Sequence, residues 1–355
     1  MDLEIRRPEP VDMGIEMQSF GIKGAEDVEE ALAALLEGKN VLIEGKYSNG
    51  LDLLHALQGY LKKMYTAQNY EEQRAYRAEY RKRSHQIMLK IRKHKLRVKK
   101  SPEIGWLEIL YPEFRELMLT LPDVQGLNSS WQWYKKGVNV PVLRNKIHPY
   151  YGTYFPTRFE HLILFDNWLK RYEGPKKTAI DVGIGSGVLS MQLVKHGFQK
   201  SFGTDTNPNA IVGLKEFMGE TKLSRKIELD YGHLFGKWEK PTELIVFNPP
   251  WLPIARESDR VDTAMYYDDK LFPEFFAEAQ KRLLPDGKLV LLFSNIGQLT
   301  KATKVHPIEE ELAKGGRYEL ELCLKKKVGL ASKKTERDQY WRAEEAVELW
   351  VLKQK

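Results

Sequence analysis

A carboxamide, two backbone-locking rings and an indole follow one another at Asn248-Pro249-Pro250-Trp251, directly after the apolar run Leu244-Ile-Val-Phe247. Consecutive prolines fix φ and remove two amide donors, which leaves the carbonyls of this turn free to accept hydrogen bonds. A planar NH2 group could donate to the Asn248 side-chain oxygen and to the Pro249 carbonyl while Trp251 lies on its π face. The nitrogen lone pair would then be aimed at an electrophile, and the protein's share of the catalysis would be orientation and electrostatic matching rather than a strong base. Asn248, Pro249, Pro250 and Trp251 are therefore the candidate catalytic residues.

Some sixty residues earlier lies a second constellation, Asp181-Val-Gly-Ile-Gly-Ser-Gly187, at the end of another apolar run. Three alternate glycines between a strand and a helix let the backbone pass close to a ligand without Cβ obstruction. The dinucleotide fingerprint would need a further glycine at position 188, where this chain has Val188. The loop therefore argues against NAD and towards S-adenosylmethionine (SAM), whose methionine end needs a snug loop and no pyrophosphate site. Asp205, eighteen residues past Gly187 in Gly203-Thr-Asp-Thr-Asn-Pro208, can accept bonds from both hydroxyls of a ribose. The candidate cofactor contacts are Asp181, Gly183, Gly185, Ser186, Gly187, Asp205, Thr206, Asn207 and Asn248.

For these groups to meet, both loops must sit at the carboxyl edge of one sheet. Thr178-Ala-Ile-Asp-Val182, Ser201 to Asp205, Ile227 to Asp230, Leu244 to Phe247 and Lys288 to Phe293 read as buried strands, with helical segments between most of them. This alternation predicts an α/β fold with a doubly wound, mostly parallel sheet covered on both faces. Two further runs, Tyr318 to Leu324 and Ala346 to Leu352, predict a hairpin on the sheet edge, with a lysine-rich loop from Lys325 to Arg337 between them. Upstream, Asp27 to Glu37 and Leu51 to Tyr65 show helical spacing. No proline or glycine interrupts Tyr70 to Lys99, which predicts one long basic helix. Residues 101 to 151 read as an aromatic, turn-rich linker. The expected division is a mainly helical, basic substrate-recognition domain with linker over 1–150 and a catalytic domain over 151–355.

Asp181 to Gly187 with Asp205 resembles the SAM site of the class I methyltransferases, over about residues 175 to 300. The resemblance implies a seven-stranded Rossmann-like sheet whose last strand is antiparallel. It also implies an acidic residue after the third strand that holds the adenine amine. In Asp230-Tyr-Gly-His-Leu-Phe235, where relatives often have Asp-Leu-Phe, either Asp230 or His233 fills that place. Asn-Pro-Pro-Trp resembles the motif of methyltransferases acting on exocyclic adenine amines and on glutamine amides. Among these, the HemK/PrmC-like enzymes are similar also in Phe155-Pro-Thr-Arg-Phe-Glu-His-Leu162, which resembles their Pro-Arg...Thr-Glu-x-Leu segment. This chain departs in having Trp251 where they usually have tyrosine, and in a longer, more basic N-terminal region. The resemblance implies transfer of a methyl group from SAM to a planar nitrogen, with a protein glutamine amide as first choice. An adenine amine of rRNA, tRNA or DNA is the alternative, and a non-catalytic SAM- or RNA-binding module is the second alternative. Tyr154, Arg158 and Trp251 are the candidate substrate contacts.

Charge adds a partner class. From Arg74 to Lys100 twelve cations face Glu79 alone, a local +11 in a chain of +7, so the rest of the molecule sums to −4. A field of this kind attracts phosphate backbones or acidic surfaces, so nucleic acid is an expected partner of the 74–100 segment. The partners expected are a protein or RNA substrate, ribosome-associated in either case, and no membrane. No apolar run reaches the roughly 20 residues that span a bilayer, and a single cysteine, Cys323, fits a cytoplasmic location. The histidines show no metal-ligand spacing, so no metal is expected.

Overall fold

The computed structural model describes residues 3–65, 70–221, 223–254, 265–329 and 344–355. Residues 330–337 of the expected lysine-rich loop and the side chain of Arg74 lie outside the described residues. The chain divides into two compact units, residues 5–136 and residues 137–355 with the extreme N-terminus.

The first unit runs β1 (Gln18–Phe20), α1 (Ala25–Leu36), β2 (Val41–Ile43), α2 (Tyr47–Met64), α3 (Tyr70–Ser84), β3 (Ile87–Arg92), β4 (Lys95–Leu96), α4 (Trp106–Leu110), β5 (Glu116–Thr120) and α5 (Leu121–Lys136). Its helices accompany a five-stranded sheet in which β3 pairs with β2, β4 and β5. The expected helix over 74–100 is corrected here, because only α3 is helical. At its end the His85 amide donates to the Arg81 carbonyl and the Gln86 amide to that of Arg83. Ile87, Met88, Leu89 and Ile91 are then buried in the sheet. Four apolar residues within five positions satisfy a strand buried on both faces better than a helix side. The chain reverses at Lys93 and His94, both in the left-handed region with φ of 50° and 58°. Such a two-residue turn normally carries asparagine or glycine, so the usual hairpin signal is missing from the sequence.

The stretch read as a linker is likewise built, into α4, β5 and the 16-residue α5. Pro122 is tolerated there because it falls in the first turn, where its missing N–H has no intrahelical partner. The second unit begins at Gly137 rather than at 151. Val138 and Ile147 exchange backbone hydrogen bonds, and both are buried in its core.

The second unit continues through α6 (Glu160–Leu169), β6 (Thr178–Val182), α7 (Val188–Lys195), β7 (Lys200–Asp205), α8 (Pro208–Thr221), β8 (Ile227–Tyr231), β9 (Thr242–Phe247), β10 (Leu252–Pro253) and β11 (Tyr266–Tyr267). It ends with α9 (Leu271–Arg282), β12 (Leu283–Ser294), α10 (Ile296–Leu299), α11 (Pro307–Lys314), β13 (Tyr318–Lys327) and β14 (Ala346–Gln354). Seven strands form one sheet in the order β8-β7-β6-β9-β12-β14-β13. The five from β8 to β12 are parallel, whereas β14 runs antiparallel to both β12 and β13. The expected terminal hairpin is present, with the last strand inserted inside its partner.

Alternate residues of each strand serve opposite cores. Leu244 and Val246 join one cluster with Phe165, Leu193 and Ile211, while Ile245 and Phe247 join the other with Phe275, Phe276 and Phe293. Burial on both faces explains the near-continuous apolar strands, each fully buried Leu, Ile or Phe contributing about 2 kcal/mol relative to exposure. Strand order reverses at β6, so a crevice opens beyond the carboxyl ends of β6 and β9, where ligands bind in open α/β sheets.

Candidate active site

The loop after β6 is shaped by its glycines. Gly183, Gly185 and Gly187 all lie in the left-handed region, with φ of 66°, 50° and 79°. A Cβ on Gly187 would stand 2.8 Å from a Leu214 methyl, and one on Gly185 3.2 Å from the Tyr154 carbonyl oxygen. Side chains are thus excluded by conformation at all three positions and by space at these two. The Gly187 amide donates to the Ile184 carbonyl at 2.8 Å, closing the turn that starts α7. Ser186 is buried on the far side of the loop, beside a small cleft walled by Tyr150, Thr153, Gly213 and Phe217.

Asp205 ends β7 next to this loop. One carboxylate oxygen accepts the Gly185 amide at 2.8 Å and the other the Asn207 amide at 2.8 Å. Asn207 donates from its side chain to the Gly152 carbonyl at 2.7 Å, and Asn209 to that of Tyr151 at 2.8 Å, which ties the 150–154 segment to the start of α8. Thr206 is exposed at the same turn. Three left-handed glycines whose Cβ-free backbone lies beside a carboxylate on the adjacent strand end make a donor and acceptor set suited to a SAM-type ligand.

Asp181 plays another part from that of Asp205. It is fully buried, and one oxygen accepts both the amide and the hydroxyl of Ser190 at 2.8 Å, bracing the glycine loop against α7. Its other oxygen has no hydrogen-bond partner among the described residues. Burial pushes the carboxyl up to about 7. The folded protein therefore holds this proton up to near pH 7, while the unfolded chain releases it near pH 4, so stability falls as pH rises between the two. We expect Asp181→Asn, which keeps an acceptor for Ser190, to gain stability relative to the parent between pH 4 and pH 8 by about 4 kcal/mol. Urea unfolding of both proteins at several pH values checks this, and a pH-independent difference would contradict it.

The two candidates for the adenine end diverge. Asp230, next to the last residue of β8, accepts the Lys237 amide at 2.7 Å at the same sheet edge as Asp205. His233 is exposed and pairs with Glu274 of α9 at 3.0 Å.

Asn248 follows β9, one strand from the glycine loop in the register Val182 opposite Phe247. Its side-chain oxygen accepts the Trp251 indole N–H at 3.2 Å, and the same N–H reaches the Leu292 carbonyl of β12 at 3.3 Å. Pro249 is buried and Pro250 half-buried between them. The carboxamide oxygen has two lone pairs, so one stays available to an acceptor NH2. Past Trp251, β10 pairs in parallel with β11, bracketing residues 255–264.

Trp251 also meets a residue that the motifs did not single out. His161 of α6 stands perpendicular to it, ring centroids 5.4 Å apart. This imidazole is 1% exposed, neither ring nitrogen has a partner among the described residues, and burial pushes it down to about 4, so it is neutral at physiological pH. A neutral ring can pack edge-on against the indole and fix its plane. The only signal in the sequence was its place in the Phe155 to Leu162 segment. Ser190 and Leu292 carried no signal at all.

Of the expected substrate contacts, Tyr154 is partly exposed beside Gly185. Arg158 is engaged instead with Glu345, which is fully buried at the start of β14. Glu160 accepts the Gly329 amide at 3.0 Å. The site therefore brings together the glycine loop, Asp205, Asn248 and Trp251, and leaves His233 and Arg158 with other partners.

Residues 163–319 match the family model described as methyltransferase small domain. A Methanocaldococcus jannaschii relative described as "Putative protein N5-glutamine methyltransferase" is 25% identical over 180 residues, 48% of this chain and 86% of its own length. The ribosomal protein L11 methyltransferase of Lachnospira eligens is 38% identical over 58 residues, 16% of this chain and 18% of that protein. That of Clostridium botulinum strain Alaska E43 is 27% identical over 137 residues, 34% of this chain and 43% of that protein. The chain thus spans less than half the length of these two L11 enzymes. The family match covers a little under half of the chain, and with the relative from Methanocaldococcus jannaschii it makes this protein a SAM-dependent methyltransferase. Its cofactor is S-adenosylmethionine. No helix of the described residues is long and apolar enough to cross a membrane.

Proposed function

We propose that this enzyme methylates a planar NH2 nitrogen, and that its acceptor is the side-chain amide of a protein glutamine. The observation that carries the reading is the Asn248 carboxamide, held by the indole N–H of Trp251 one strand from the glycine loop. The relative described as a glutamine methyltransferase and the resemblance of residues 155–162 to such enzymes support it.

Gly183 to Gly187 would cradle the methionine end, Asp205 would receive the ribose hydroxyls and Asp230 the adenine amine. SAM when bound supplies an electrophilic methyl on sulfonium and leaves as a neutral thioether. Asn248 Oδ1 and the Pro249 carbonyl accept the two N–H bonds of the acceptor, which turns its lone pair towards the cofactor side, and as the C–S bond breaks and the N–C bond forms one of these two protons is released to solvent. Trp251, its plane set by His161 and by the two bonds of its N–H, covers the acceptor's face. Holding both reactants in one geometry removes much of the entropic barrier of a two-molecule displacement. The +11 segment favours a second reading, an extruded adenine amine of RNA or DNA stacked on Trp251.

The test is transfer of labelled methyl from SAM to release factors, ribosomes and purified ribosomal RNA. The proposal expects label that protease releases and nuclease does not, recovered after mild digestion as N5-methylglutamine. Nuclease-sensitive label would favour the adenine reading, and absence of transfer to every acceptor would leave a binding module.

A further inference from the structure

We propose that the first unit carries a docking face for the phosphodiester backbone of double-stranded RNA, formed by β3, β4 and the residues that follow β4. Register defines the face. Arg92 stands opposite Lys95 on β4 and opposite Glu116 on β5. One step back, Lys90 stands opposite Met118, and the Arg97 amide donates to the Lys90 carbonyl at 2.9 Å. Lys90, Arg92, Lys95 and Arg97 thus project from one side, because residues opposite each other in a sheet share a face. All four are exposed, whereas Leu89, Ile91, Leu96 and Val98 between them are buried on the other side. The alternation continues to Lys99, also exposed.

Only one of these cations is neutralised. Arg92 pairs with Glu116 at 3.0 Å, and no ion pair is made by Lys90, Lys95 or Arg97 among the described residues. Unpaired like charges on adjacent strands repel, which is a cost with no structural return unless an anion covers them. The turn residue His94 is otherwise engaged, facing the Tyr111 carbonyl at 3.1 Å.

The shape chooses among polyanions. Single strands are held chiefly by stacking on aromatic rings, and none of the face's side chains is aromatic. The tyrosines of α3 do not supply one, since Tyr76 and Tyr80 stack on each other and Gln58 donates to the Tyr80 hydroxyl. The face also lacks carboxamides to read base edges. The cations lie on two paired strands, about 5 Å apart, since β5 offers this face only Glu116 and the buried Met118, and so shallow a ribbon suits phosphates flanking the wide, shallow minor groove of A-form RNA rather than its deep, narrow major groove. This proposal does not depend on the acceptor: a glutamine on a ribonucleoprotein and a base in the RNA both satisfy it.

Fluorescence anisotropy of the full chain with a labelled RNA duplex, without SAM, between 50 and 200 mM salt tests it. Neutralisation of four phosphates, by Lys90, Lys95, Arg97 and Lys99, predicts a log K against log salt slope of about −4. Lys90→Gln/Lys95→Gln/Arg97→Gln should bring the slope to about −1 and weaken binding at least tenfold at 100 mM salt, at roughly one unit of slope per cation. Removing equal charge at Lys200, Lys281 and Lys314 should change neither. Circular dichroism and SAM titration of the triple variant confirm that it is folded, and they separate failure here from failure of the methyltransferase site. Unchanged binding in the folded triple variant would overturn the proposal. So would equal or tighter binding of a DNA duplex of the same length, or of polyglutamate at matched charge, which would assign the face to another partner.

Discussion

Asn248→Ala is expected to lower kcat by about 10² to 10³, the loss typical of removing one oriented hydrogen-bonding group from a transition state. The dissociation constant for SAM should stay within about twofold, because the groups that hold the cofactor are elsewhere. Asn248 also receives the Trp251 N–H at 3.2 Å, so its removal frees the indole as well as the acceptor. Trp251→Phe separates the two effects. It keeps an aromatic face, loses the N–H, and should cost only about fivefold, in line with roughly 1 kcal/mol for a neutral hydrogen bond. Steady-state rates on the methyl-accepting substrate, with isothermal titration of SAM, give both numbers. If Asn248→Ala retained its rate, the carboxamide would have no part in holding the acceptor.

Asp205→Ala should act on the other half of the reaction and weaken SAM binding about 100-fold or more. Two charge-assisted bonds to ribose hydroxyls are worth about 1.5 to 3 kcal/mol each. The same carboxylate holds the Gly185 and Asn207 amides, so its loss also loosens the turn on which the methionine end rests. Asp205→Asn keeps acceptors without charge and should fall between the two. Titration calorimetry with SAM and with S-adenosylhomocysteine measures the change, and an unaltered affinity in Asp205→Ala would remove the ribose from this carboxylate.

The sheet was legible because parallel strands buried on both faces leave long apolar runs, and because Gly183 to Gly187 and Asn248 to Trp251 each end one. The hairpin of β3 and β4 was not, because Lys93 and His94 adopt left-handed conformations with no glycine to announce them. Tertiary pairing there overrode a local preference for helix. Asp181 carries its type in the sequence but not its partner, since only the fold brings Ser190 beneath it. Arg158 was drawn towards the substrate by its neighbours in sequence, whereas Glu345, nearly two hundred residues away, holds it. His161 is the converse case, an ordinary helix residue until the fold sets it against Trp251.

The decisive measurement is a crystal structure of the protein with S-adenosylhomocysteine. The account predicts the ribose hydroxyls on Asp205, the amino-acid moiety over Gly183 to Gly187, and the thioether sulfur facing Asn248 across the crevice between β6 and β9. A product bound away from Asp205, or with its sulfur turned from Asn248, would contradict it.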